Sequence, residues 1–205
     1  MSRPPPEATP SPDPDAPISV RSRRAVEAAL DRLRADYGEF PVVRGTYPND
    51  PDFFAEGREF FEAGGRGGAG ARVVDGDGRV LLIRHPRDPD TWVTPGGAHE
   101  PGETYEAAAE REVREETGVN CAVTDLRVAW VRRFYDESDP ERRGYLLDAV
   151  FEARQTGGEA GLHPERWDGD ADEEILAVAW VDADDLPASV GPFVEAPFSA
   201  PTPTT

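Results

Sequence analysis

The chain has 205 residues and no lysine: all 22 basic residues are arginine, set against 41 acidic ones, for a formal net charge of -19. Without lysine, the glycine-rich run GGRGGAG at 64–70 cannot be a nucleotide-binding P-loop, which ends in Gly-Lys-Ser/Thr. Cysteine is nearly absent too. Cys121 stands alone, which excludes an internal disulfide and a cysteine-rich zinc site. No apolar run is long enough to cross a bilayer, and the opening MSRPPPEATP lacks the apolar stretch of a secretory signal, so a soluble, cytoplasmic protein is expected. An acidic surface repels polyanions except at local arginine clusters, which disfavours nucleic acid as a partner.

An acidic chain purged of lysine has the composition of proteins from cells that hold molar salt, where the Debye length shrinks to about 3 Å. A GC-rich genome is the other source of such a bias. Hydrophobic residues make up 38% of the chain, which suits one core with extensions.

Residues 1–18 are proline-rich and are expected to be a disordered tail. From Ser19 to Tyr37, Val26, Leu30, Leu33 and Tyr37 recur at helical spacing, and a second short helix is expected near Phe53–Glu62. Residues 19–64 therefore read as a helical N-terminal extension, which could pack on a partner subunit in a homodimer. Strands are expected at 71–74, 79–85, 91–94, 121–135, 144–154 and 175–182, with polar loops at 85–90, 136–143 and 156–174 and a helical turn at 182–187. GGRGGAG is a linker or strand lead-in, and 189–205 a second disordered tail. Strands on both sides of one central helix suggest an α/β/α layered domain at 65–188.

That helix, Thr104–Thr117, carries the chemistry. At about 100° per residue, Glu112, Glu115 and Glu116 share one arc, beside an apolar stripe of Tyr105, Ala109 and Val113. Packed carboxylates repel one another unless a cation sits among them. With no histidine or cysteine adjacent, the cluster suits a hard divalent ion, Mg²⁺ or Mn²⁺.

Gly97, Glu103, Arg111-Glu112, Val113, Glu115-Glu116, Gly118 and Val119 match the Nudix box at every defined position over residues 97–119, so the chain resembles the Nudix hydrolase superfamily. The resemblance implies an α/β/α sandwich with a mixed sheet and a loop-helix-loop catalytic motif. It implies a pyrophosphohydrolase that cleaves a nucleoside diphosphate linked to another moiety: a sugar nucleotide such as ADP-ribose, a nucleoside triphosphate or a dinucleoside polyphosphate. Carried over by position, Glu112, Glu115, Glu116 and the Gly97 carbonyl hold the metal, Arg111 orients its neighbouring glutamates and Glu103 braces the loop. The general base is open: a box glutamate, or a carboxylate from a distant loop, for which Glu173 and Glu174 are the candidates, their other reading being a solvated acidic run.

Outside the box, Arg84 and Arg132 are candidate phosphate ligands, with Arg133 beside them. Tyr135 is a candidate for the substrate's base, along with Trp130, Phe134 and Tyr145. Trp92 and Cys121 are expected in the core, and His85, His99 and His163 have no metal-ligand spacing. Two rival functions remain: a non-catalytic nucleotide-binding module, against which the intact box argues, and an isopentenyl diphosphate isomerase. The isomerase needs a cysteine ahead of the box, whereas Cys121 follows it.

Overall fold

The computed structural model describes residues 15–162 and 175–195. Among these residues, three helices flank one eight-stranded mixed sheet: α1 (Ile18–Tyr37), β1 (Val42–Asn49), α2 (Pro51–Glu62), β2 (Gly67–Val74), β3 (Arg79–His85), β4 (Asp88–Val93), β5 (Gly96–Ala98), α3 (Tyr105–Thr117), β6 (Asn120–Asp136), β7 (Asp139–Gly157) and β8 (Ala177–Asp182). The sheet runs β1-β6-β7-β2-β3-β4, with β5 paired to β2 and β8 to β3. β1–β6 and β7–β2 are parallel; β6–β7, β2–β3, β2–β5, β3–β4 and β3–β8 are antiparallel.

Strand alternation divides the core between the two faces. On one face, Leu147, Ala149, Phe151 and Ala153 of β7 pack with Leu30 and Leu33 of α1 and with Ala109 and Val113 of α3. On the other, Leu146 and Phe134 meet Phe54 and Phe61 of α2, and Val80 and Leu82 meet Val194. The result is the expected α/β/α sandwich.

Several segments differ from their sequence reading, each because a tertiary partner supplies what local pattern does not show. Residues 42–49, between the two helices expected in the N-terminal extension, form β1, an edge strand in unbroken parallel register with β6. α1 is no appendage: Leu33 is fully buried in the main core. The glycine-rich 67–70 is the first half of β2, where the close approach of β5 and β7 favours residues without side chains. The loop at 85–90 shortens to a tight turn before β4, and that at 136–143 to a hairpin between Asp136 and Asp139. Residues 182–187 form a turn without a helix. In the stretch read as a C-terminal tail, Val190 bridges to Trp92, and buried Val194 accepts a 2.9 Å hydrogen bond from Arg72 Nε at its carbonyl. No described helix is long and apolar enough to cross a membrane.

Candidate active site

Helix α3 is specified from both ends. Thr104 caps it, its hydroxyl accepting from the Ala107 N–H at 3.2 Å, and Gly118 ends it in the left-handed region at φ 76°. Between these, Ala107, Ala108 and Ala109 favour helix, and Glu106 lies in the first turn, where the helix dipole stabilises an anion. Tyr105, Ala108, Ala109 and Val113 are buried. That packing turns the adjacent face, with Glu112 and Glu116, onto the Gly96–Ala98 strand.

Two contacts tie helix to loop. Glu116, only 8% exposed, accepts a 2.7 Å hydrogen bond from the Gly96 N–H. The Glu112 carboxylate lies against Gly97 so closely that a β-carbon there would sit 2.5 Å from its Oε2. Arg111 binds the remaining acids. Its Nη2 donates to Glu103 Oε1 at 2.8 Å and to the Ala98 carbonyl at 2.8 Å, and its Nη1 donates to Glu112 Oε1 at 2.7 Å and Glu115 Oε2 at 3.0 Å.

The electrostatics follow from these bonds. The hydrogen bond to Glu103, ahead of the attraction of Glu112, holds the Arg111 guanidinium charged well beyond its ordinary range. Burial raises Glu103, but its bonds to Arg111 and to the Glu100 N–H outweigh that and keep it below the usual carboxylate value. For Glu112 the balance reverses: burial prevails over the pull of Arg111, and Glu115 and Glu103 add to the upward shift. Glu112 thus holds its charge at a cost that a cation would relieve.

The donors are carboxylate and carbonyl oxygens, a set that fits a hard divalent ion. Glu112 and Glu116 both meet the Gly96–Gly97 segment. Glu115 is drawn aside by Arg111 and is 43% exposed, and among the described residues no three acidic, histidine or cysteine side chains stand close enough to hold an ion as they are.

The Gly96–Gly97 segment is part of the lining of a cleft of about 850 Å³, which residues of α2 also line. Arg132 lines it and donates from Nη2 to Asp148 Oδ1 at 2.9 Å. Burial pushes the Asp148 carboxyl above its ordinary range despite that ion pair. Trp130 and Phe134 also line the cleft. Arg84 and Tyr135 do not. Arg84 stacks on Trp92 at 4.9 Å and donates to the Pro89 carbonyl, while Tyr135 alternates away from the Arg132 and Phe134 face. Tyr145 packs against the main core instead. Trp92 packs beneath Val80 and Leu82, and Cys121 is buried, its thiol raised to about 12 by burial and then by Glu110. Glu173, Glu174 and His163 lie outside the described residues.

Sequence reasoning missed Asp148, which looked like any polar residue of an alternating strand. It also missed His85, whose Nε2 stands 3.7 Å from Glu116 Oε1 although 31 positions separate them. The walls built by β1, α2 and Phe193 gave no signal, because nothing local shows which surface a strand and helix will face.

A mixed sheet holds an acidic helix against a glycine loop, and that loop also lines a cleft. Residues 65–200 match the NUDIX domain model, and the chain belongs to the Nudix hydrolase family. It is 31% identical over 137 residues to an RNA pyrophosphohydrolase of Rhodospirillum rubrum, covering 62% of this chain and 79% of that protein. It is 35% identical to an ADP-ribose pyrophosphatase of Methanocaldococcus jannaschii, covering 42% of this chain and 50% of the relative. An 8-oxo-dGDP phosphatase of Homo sapiens is 36% identical, over 53% of this chain and 29% of its own length. Among solved structures, a MutT NUDIX hydrolase from Burkholderia pseudomallei is similar, with 29% identity, a TM-score of 0.42, and coverage of 62% of this chain and 89% of that one.

Proposed function

We propose that this protein hydrolyses a phosphoanhydride bond in a nucleoside diphosphate linked to another moiety, with Mg²⁺ or Mn²⁺ held by Glu112, Glu116, Glu115 and the Gly97 carbonyl. The observation that carries this reading is the convergence of Glu112 and Glu116 on Gly96–Gly97, a segment that also lines the cleft. Divalent cations bound there would neutralise pyrophosphate oxygens and lower the pKa of a coordinated water. The chain's own groups prepare the place. Glu116 fixes the loop through the Gly96 N–H. Arg111 holds Glu112 and Glu103 in position and also binds Glu115, which a bound cation would have to draw back from it. Arg132, anchored on Asp148, is the cation placed to receive a substrate phosphate inside the cleft.

The relatives named ADP-ribose pyrophosphatase, RNA pyrophosphohydrolase and 8-oxo-dGDP phosphatase support phosphoanhydrides as a class and leave the leaving group open. The lysine-free acidic composition supports a protein working in molar salt. The test is a substrate panel in concentrated KCl with Mg²⁺, scored for nucleoside monophosphate, pyrophosphate and phosphate, then repeated with a chelator. Cleavage that survives the chelator, or no cleavage of any nucleotide, overturns the reading.

A further inference from the structure

The cleft lining contains two chemically distinct groups. One is the Gly96–Gly97 segment under the glutamates. The other is aromatic, and much of it comes from residues that precede the matched family domain. Helix α2 presents Phe53, Glu56, Gly57 and Phe60 to the cleft, one stripe at helical spacing. β1 adds Tyr47, whose ring stands 6.4 Å from that of Trp130, and Trp130 in turn meets Phe193 edge-on at 5.4 Å.

Two details show that this wall is built for a guest. Among the described residues, Tyr47 and Phe53 are the exposed large aromatic side chains, at 37% and 58%, and both line this one cleft. Exposed aromatic surface confined to a cavity marks a binding place more than a packing residue. In addition, the Tyr47 ring lies back over Gly45, where a β-carbon would fall 2.4 Å from the phenol oxygen. Glycine at 45 is what leaves room for that ring pose.

We propose that Tyr47, Phe53, Trp130 and Phe193 seat the nucleobase of the substrate, so that segment 42–62, outside the family domain, selects a nucleoside over a base-free phosphate ester. This rests on the reading of the site as a nucleotide phosphoanhydride hydrolase. Charge points the same way. The charged side chains lining the cleft are Glu56, Asp148 and Arg132, with Arg132 already paired, so a heavily phosphorylated sugar or inositol would meet no surplus of positive charge. A flat apolar ring gains from stacking there, a sequence-tolerant contact that alanine substitution weakens by about tenfold or more per base.

The test separates this inference from the catalytic reading by measuring binding without metal. AMP and ribose 5-phosphate are titrated calorimetrically, in chelator, into the full chain, into Phe53→Ala, into the Tyr47→Ala/Phe53→Ala double variant and into Tyr47→Phe. Both target side chains are exposed, and circular dichroism checks the fold. The expected result is that AMP binds at least about tenfold more tightly than ribose 5-phosphate, that the double variant loses the preference and that Tyr47→Phe keeps it. In turnover, the double variant should raise KM for base-bearing substrates about tenfold, with kcat changed less than about twofold. Equal or undetectable binding of both ligands, or a preference that survives the double variant, overturns the seat. A chain that prefers AMP yet cleaves no phosphoanhydride keeps the seat and overturns the catalytic reading instead.

Discussion

Glu116 and Gly96, twenty residues apart, are joined by a 2.7 Å hydrogen bond from the glycine N–H to a carboxylate oxygen. That bond fixes where the glycine loop stands relative to the acidic helix. Glu116→Gln keeps an acceptor for it while removing the charge. Turnover in Mg²⁺ is expected to fall by about 10²-fold or more, with the thermal unfolding midpoint shifted little. Wild-type kcat in that variant would remove Glu116 from the chemistry.

Gly97→Ala tests the contact with Glu112. The added methyl would have to displace a carboxylate from 2.5 Å, and the carboxylate is held by Arg111. Activity is expected to drop at least about tenfold, and stability by about 1–3 kcal/mol, as in overpacked sites. An unchanged rate would show that Glu112 needs no fixed position.

Arg111→Lys retains the charge and loses the planar fork that reaches Glu103, Glu112 and Glu115 at once. Apparent metal affinity, read as the Mg²⁺ concentration for half-maximal rate, should weaken by about 10–100-fold. Equal Mg²⁺ dependence in both proteins would reduce Arg111 to a surface ion pair.

Leu33→Ala asks whether α1 belongs to the domain it precedes. Leu33 is fully buried against the sheet, so the expected loss is about 3 kcal/mol and a midpoint lowered by about 6–12 °C in one cooperative transition. Two separate transitions would make α1 an independent appendage.

The pair formed by Glu106 and Arg32, whose Nη2 lies 3.1 Å from Glu106 Oε2, should appear in the acid limb of stability. Burial raises the Glu106 carboxyl, but the bond to Arg32 prevails and leaves it below its ordinary value. A depressed carboxylate adds stability that is present above its unfolded pKa of about 4.3 and is lost as pH falls through the lower folded value. The stability difference between wild type and Glu106→Gln, measured by urea unfolding, should therefore be constant above about pH 5 and shrink below about pH 4. A gap that widens on acidification would reverse the assignment.

The acidic helix, its cap at Thr104, its stop at Gly118 and the pattern from Gly97 to Val119 were legible because each is a local signal. Helical spacing, a capping hydroxyl and a left-handed glycine act within a few residues of themselves. From them, the sequence by itself determined the class of chemistry and the kind of ion to expect. Tertiary structure alone decided the rest. The pairing of β1 with β6 made residues 42–49, between the two helices the sequence did show, an edge strand, and that strand with α2 became one wall of the cleft. Alternation along β6 sent Arg132 into the cleft and Tyr135 away from it, and the register with β7 set Asp148 beside Arg132. Pairing register and packing are settled by partners far along the chain, whose contribution appears only once loop closure has brought them together.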